Sequence, residues 1–359
     1  MKVLLLSRYS SLGASSRVRC YQYIPYLRNQ GFDVTVAPLL DDNYIKDLYA
    51  GKRKRISLVI SSYIRRIRSL LDARSYDLLW IEKELFPWLP AWAEGILTRL
   101  KIPYIVEYDD AVFHRYDLNS NRAVRLLLGN KIDAVMRQAA VVIAGNEYIA
   151  KRARISGARR VEILPTVIDL EQYSPGPINK NKIFTIGWIG TPVTARYLHV
   201  VGSALADVCQ NKLARVLLVG SGQITLDGVP VEIRPWSKET EVEAIHSFDV
   251  GIMPLPDSPW ERGKCGYKLI QYMACGRPVV ASPVGVNTQI VEDGINGFLA
   301  STRDEWVHAL NALQDDYDLW KRMGIAGRRK VETHYCLQVT APQLAEILRS
   351  VCEQYHLKV

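Results

Sequence analysis

Short, predominantly apolar runs alternate with helical stretches along the whole chain, and that alternation narrows the fold further than any other feature. The first such runs lie at residues 3–6, 34–37, 77–81, 104–106 and 140–144. A strand apolar at consecutive positions, rather than at every second one, suits a parallel sheet covered on both faces. Helices are expected at 17–30, ended by Gly31 and kinked by Pro25, then near 90–100, at 122–137 and at 147–153. A run at 161–164 closes this half. The segment from Ser174-Pro175-Gly176-Pro177 to Lys182 is polar and loop-like, and it places a domain boundary. The pattern then restarts, with runs at 183–190, 216–220, 231–233, 249–254, 279–281 and 297–300 and helices at 195–208, 239–247 and through 303–355. Two successive α/β halves imply a cleft between them, a preferred place for a small molecule.

At 359 residues the chain exceeds the roughly 250–300 at which one core stops growing, which agrees with two domains. A hydrophobic content of 48% and a charged content of 23% exclude disorder. The net charge of +9 favours an anionic partner, with nucleotide, nucleic acid and anionic membrane all open. Six cysteines, at 20, 209, 265, 275, 336 and 352, show no metal-ligand spacing, so the expectation is reduced thiols and no metal site. The start, MKVLLLSRYSS, is too short an apolar run for a signal peptide, and no stretch reaches the ~18 apolar residues of a membrane span. A cytoplasmic protein is expected.

Residues 52–68 stand apart. Lys52-Arg53-Lys54-Arg55 precedes Ile56, Leu58, Val59, Ile60 and Tyr63, and Arg65, Arg66 and Arg68 follow. A basic helix with an aliphatic face can lie on anionic lipid at the inner face of the membrane, or can be a solvated surface helix. Aromatic residues do not alternate with these charges as single-strand binders require, so no nucleic-acid partner is expected.

Four stretches carry candidate chemistry. Gly13 lies in a small-residue loop between the first strand and a helix, where backbone N–H groups commonly face a phosphate. Glu107-Tyr108-Asp109-Asp110-Ala111-Val112-Phe113-His114 leaves a strand at the same edge, and Asp110 and His114 are candidates for contact with a hydroxyl, against capping or surface roles. Most specific is WERGKCGYKLIQYMACGRPVVASP, residues 260–283. Its Gly263-Lys264-Cys265-Gly266-Tyr267-Lys268 sets two lysines and flexible backbone at a helix start, a place for an anion. An amphipathic helix and a buried strand follow. Gly190-Thr191-Pro192 ends the strand that opens the second half, and Arg196 lies just beyond it. Trp188 and Trp236 can stack on a base or simply pack, and His246 and His334 carry no assignment.

Residues 249–300 resemble the nucleotide-sugar-binding region of family four glycosyltransferases of the GT-B class. Gly13, Leu164-Pro165-Thr166-Val167-Ile168-Asp169 and Gly187-Trp188-Ile189-Gly190 extend the resemblance over nearly the whole chain. It implies two Rossmann-like domains, 1–175 for the acceptor and 176–340 for the nucleotide sugar, with a final helix at 341–359 packing on the first. It also implies transfer of a sugar from a nucleotide diphosphate with retention of configuration, without a metal or other cofactor. Lys264 and Lys268 would then take a catalytic, charge-stabilising role, and Asp110 and His114, as the candidates for contact with a hydroxyl, complete the expected catalytic set. Gly13, Gly190, Thr191, Arg196, Gly263, Gly266, Tyr267 and Gln271 would hold the donor. The sequence departs from the family at two positions. The paired glutamates, seven residues apart, are replaced by Gly263 and Gln271, and Glu261 is out of register with the first.

The expected function is therefore a retaining, metal-independent transfer to a saccharide or lipid-linked acceptor, in bacterial cell-surface polysaccharide synthesis. A nucleotide-sugar epimerase of the same architecture and a non-catalytic nucleotide-binding module remain open beside it.

Overall fold

The computed structural model describes residues 1–49, 56–177, 183–211 and 213–356, so Lys52-Arg53-Lys54-Arg55 lies outside the described residues. The chain forms two compact units, one of Met1–Thr166, Gly263–Cys265 and Thr340–Val359, the other of Val167–Arg262 and Gly266–Val339. The first change of unit comes at Thr166, ahead of the Pro- and Gly-rich stretch. Ile168 and Tyr173, which precede that stretch, are buried in the core of the second unit.

In the first unit β1 (Lys2–Leu6), β2 (Asp33–Val36), β3 (Leu78–Glu82), β4 (Tyr104–Tyr108), β5 (Val141–Ala144) and β6 (Val161–Ile163) form one sheet in the order β2-β1-β3-β4-β5-β6. Every pairing is parallel, with Leu4 opposite Leu79 and Ile81 opposite Val106. The side chains of β3 are buried throughout, as the unbroken apolar run predicts. Each such Leu or Ile stabilises the fold by about 1.5–3 kcal/mol relative to an exposed one.

The second unit repeats the design with β7 (Phe184–Ile189), β8 (Ala214–Val219), β9 (Val231–Arg234), β10 (Val250–Met253), β11 (Val279–Ala281) and β12 (Gly297–Leu299), in the order β12-β11-β10-β7-β8-β9. Its strands also pair in parallel. The chain reverses its direction across the sheet between β1 and β3 in one unit, and between β7 and β10 in the other. At such a reversal the connections leave on opposite faces and open a crevice beyond the carboxyl ends of the strands. Both units are Rossmann-like.

Three expected helices are broken. The stretch at 17–30 is two helices, Ala14–Arg19 and Ile24–Asn29, parted at Cys20 and a tight turn over Tyr21–Tyr23. Pro25 lies in the first turn of the second, where its missing N–H costs no hydrogen bond, so it starts a helix instead of kinking one. The stretch at 122–137 parts at Gly129 and Asn130 into Arg122–Leu128 and Lys131–Gln138. That at 195–208 becomes Pro192–Ala195, a tight turn over Arg196–Val201 and Gly202–Asn211. The helix Tyr267–Ala274, expected to be amphipathic, is buried on all sides from Leu269 onward.

The helix Ile56–Leu71 carries its polarity the unusual way round. Ser62 and Arg66 face inward, and the Arg66 guanidinium donates to the carbonyl of Ser7. Burial holds that guanidinium down at about 9. Ile56, Ile60, Ile64, Ile67 and Leu71 are exposed, in a stripe at helical spacing.

Candidate functional site

In the second unit the crevice-forming strands β7 and β10 deliver two loops. Beyond β7, Gly190 passes against the Trp188 ring so closely that a Cβ would stand 2.4 Å from Cη2, which only a glycine avoids. Thr191 follows, its amide donating to Thr194 Oγ1 at 3.2 Å. Beyond β10 the chain forms the short helix Pro259–Arg262 and re-enters this unit at Gly266, whose φ of 65° is left-handed. The helix Tyr267–Ala274 starts there. Lys268 projects from its first turn, with its ammonium 5.4 Å from the centre of the Trp188 ring. Trp188, Gly190 and Lys268 thus meet at the carboxyl end of the sheet.

Arg196 is exposed and lies over the Tyr197 ring at 5.2 Å. The Tyr197 hydroxyl donates to Glu261 Oε1 at 2.5 Å, and Ser258 donates to Oε2 of the same carboxylate. Glu261 is therefore a buried brace between two segments. Tyr267 and Gln271, one turn apart, both reach Tyr173, at 3.5 Å from hydroxyl to hydroxyl and at 2.9 Å from Gln271 Nε2.

In the first unit Gly13 precedes the helix Ala14–Arg19 with an ordinary φ of −71°. Its glycine is required by Tyr9, whose Cβ would lie 2.4 Å from a Cβ at this position. Below that turn is a charged floor. Glu82 Oε2 accepts from the Arg8 amide at 2.8 Å and from Ser16 Oγ at 2.5 Å. Lys83, left-handed at φ 67°, brings its ammonium to 2.9 Å from Asp109 Oδ1 and 3.1 Å from Ser15 Oγ. Burial alone would raise the Asp109 carboxyl, but Lys83 outweighs it and holds the group at about 2. Asp110 moves the other way, raised by burial and then by the charge of Asp109.

Gly263, Lys264 and Cys265 belong to this first unit. Asn146 Nδ2 donates to the carbonyls of Gly263 at 2.9 Å and of Lys264 at 3.1 Å. Lys264 Nζ lies 4.0 Å from Asp110. A Cβ on Gly263 would come within 2.4 Å of the Ala111 Cβ and 2.8 Å of its backbone nitrogen, so this position has no room for the glutamate the family carries. His114 is held at both ring nitrogens, Nδ1 at 2.8 Å from Asp117 and Nε2 at 2.8 Å from the Tyr148 hydroxyl.

Sequence reasoning missed Glu82, Lys83, Tyr173 and Glu241. The charged run Glu82-Lys83-Glu84 directly after an apolar strand was a signal for the first two, whereas nothing in the sequence links Tyr173 and Glu241 to Gln271. Among the described residues no three His, Cys, Asp or Glu side chains gather as a metal ion would require. Among them also, no helix is long and apolar enough to cross a membrane.

Two doubly wound units of this topology in one chain define the GT-B class, and solved structures agree. Sucrose-phosphate synthase from Thermosynechococcus elongatus superposes with a TM-score of 0.75 at 15% identity, covering 98% of this chain and 99% of that one. HepE of Anabaena, in complex with UDP and glucose, gives 0.72 at 18%, covering 98% and 100%. The lipopolysaccharide outer core galactosyltransferase WaaB gives 0.65 at 12%, covering 97% and 100%. No curated protein matches the sequence. Two family models do match: Glycosyltransferase Family 4 over residues 17–172, and Glycosyl transferases group 1 over 180–316. The chain belongs to the group 1 glycosyltransferases of the family four type. Of the three readings open from sequence, the family matches select the glycosyltransferase.

Proposed function

We propose that this enzyme moves a sugar from a nucleotide diphosphate to a saccharide or lipid-linked acceptor, with retention of configuration and without a metal, in bacterial cell-surface polysaccharide synthesis. The observation that carries the donor half is Lys268, held over Trp188 beside Gly190 where β7 and β10 end. As the glycosidic bond breaks, negative charge builds on the β-phosphate, and a cation already in place lowers that barrier by about 3–4 kcal/mol. Lys264 and the amides of Gly266 and Tyr267 are the further groups for this role. Thr191, Arg196 and Gln271 contact the rest of the donor. Gly13, Asp110 and His114 of the first unit serve the acceptor side and the phosphate.

HepE binds UDP and glucose in its crystal, and WaaB acts on lipopolysaccharide core, which supports a nucleotide sugar and a cell-surface acceptor here. An acceptor on a lipid would bring the enzyme to the inner face of the cell membrane, and the exposed stripe of the helix Ile56–Leu71 suits that contact.

The test is incubation with UDP-, GDP- and ADP-sugars, with and without EDTA, while following release of the nucleotide diphosphate and the anomeric configuration of the product. Turnover that survives EDTA and yields the donor's own configuration is expected. Loss of turnover with EDTA, or an inverted product, would overturn the corresponding part.

A further inference from the structure

Inside the second unit Trp236, Glu241, Tyr173 and Gln271 form a hydrogen-bonded chain, with the Tyr267 hydroxyl as a longer side branch 3.5 Å from that of Tyr173. Glu241, which opens the helix Glu241–His246, is 7% exposed. Trp236 Nε1 donates to its Oε2 at 2.8 Å, and the Tyr173 hydroxyl donates to its Oε1 at 2.5 Å. An indole N–H can only donate, and a phenol has one proton. With that proton given to Glu241, the Tyr173 oxygen can only accept. The end of the Gln271 amide that meets it at 2.9 Å must then be the NH2 group, which settles an orientation that atom positions alone do not reveal. The carbonyl Oε1 is turned away, and among the described residues it accepts no hydrogen bond. Gln271 stands one turn beyond Tyr267 and Lys268 on the helix that starts at Gly266, the element proposed above to hold the donor.

We propose that Glu241 and Tyr173 are positioning residues that lock the Gln271 amide with its carbonyl oxygen toward the nucleotide sugar, as an acceptor for a hydroxyl of the donor. This rests on the nucleotide-sugar reading of the second unit. The carboxylate absent at position 271 is in effect moved two residues along the chain of hydrogen bonds, to Glu241. The ligand still meets an acceptor oxygen, but no negative charge stands next to the diphosphate.

The number of protons in the chain makes the idea testable. With Glu241→Gln, the new amide donates to Tyr173, whose proton turns to Gln271 and flips that amide. A donor group then faces the ligand. With Gln271→Glu alone, two carboxylates compete for one phenol proton. With both changes together the chain runs in reverse, from an amide at position 241 through Tyr173 to a carboxylate at position 271, and again presents an acceptor oxygen.

Binding of UDP, GDP and ADP to the native full-length protein is measured by calorimetry, and the tightest is then used with each variant, with thermal unfolding as the check on folding. Each single variant, and Tyr173→Phe, is expected to weaken binding about tenfold, the loss of one oriented hydrogen bond. The double variant is expected to return to within about threefold of native, and donor KM to follow the same pattern at nearly constant kcat. Glu241→Gln is the sharpest arm, because removing a negative charge by itself would tighten an anion. Unchanged or tighter binding in Glu241→Gln, or a double variant no better than the singles, overturns the lock while leaving the nucleotide-sugar reading intact. No binding of any nucleotide by the native protein overturns both.

Discussion

Lys83 Nζ stands 2.9 Å from Asp109 Oδ1, with both side chains nearly closed to solvent. Removing one member of such a pair leaves the other charge buried and uncompensated, at a cost of about 3–5 kcal/mol. Lys83→Met is therefore expected to lower the unfolding free energy by that amount at neutral pH, read from urea titration as a fall in the midpoint. The pH dependence has a definite sign. The folded-state value of Asp109 is depressed to about 2, below its unfolded value of about 3.9, so its contribution is complete above the unfolded value and is lost as pH falls toward 2. The stability gap between native protein and Lys83→Met should then narrow below pH 4, as measured by urea titration at each pH. A gap independent of pH between 2 and 5 would show that Asp109 is not the partner that matters.

Gly263 faces Ala111 with no space for a side chain. Restoring the family's residue with Gly263→Glu is accordingly expected to destabilise the protein by about 1–3 kcal/mol, the usual range for overpacking, and not to raise turnover. Adding Ala111→Gly should recover part of the thermal midpoint, because it removes the Cβ that a residue at 263 would strike. Failure of the second change to recover any stability would locate the strain in the neighbouring backbone instead.

The fold was legible because parallel sheets announce themselves as unbroken apolar runs. The strands β1, β3, β4 and β5 follow the runs to within a residue or two. What was not legible depended on contacts between distant positions. Pro25 looks like a kink until Cys20 is seen to end the preceding helix. Glu261 is visibly out of register with the family's first glutamate, but its role as a brace follows only from Tyr197 and Ser258, which occupy its carboxylate. The absence of glutamate at 263 is visible in sequence, but the crowding by Ala111, its Cβ first and then its backbone nitrogen, comes from more than a hundred residues away along the chain. Gln271 could be matched to a family position, yet the orientation of its amide follows only from Tyr173 and Glu241.

Lys268 combines a charge with a packed stem. A Cβ on Gly190 would lie 3.0 Å from its Cε, so the aliphatic chain runs along that glycine to reach Trp188. Lys268→Gln keeps most of the stem and removes the charge. It is expected to lower kcat by about 10²–10³, as loss of one preorganised group at a developing anion does, with a smaller change in donor KM. Release of nucleotide diphosphate under single-turnover conditions measures it. A rise in KM with kcat unchanged would assign Lys268 to ground-state binding only.

The helix Ile56–Leu71 presents an apolar stripe to solvent. Ile60, Ile64 and Ile67 are 56%, 47% and 45% exposed, so serines there should leave the fold intact. If the stripe lies in a bilayer surface, these residues supply apolar burial and Arg68 supplies attraction to anionic headgroups, worth about 1 kcal/mol per cation. The triple change Ile60→Ser, Ile64→Ser and Ile67→Ser should reduce co-sedimentation with vesicles of mixed anionic and zwitterionic lipid by at least about tenfold, and Arg68→Gln by about fivefold. Arg66→Gln is a poor probe, since that side chain is buried against the carbonyl of Ser7 and its loss would act through folding. Raising the salt should weaken the native protein and the triple variant by the same factor, because salt screens the charge contribution and leaves the apolar one. Vesicle binding by the triple variant equal to that of the native protein would place any membrane contact elsewhere on the chain.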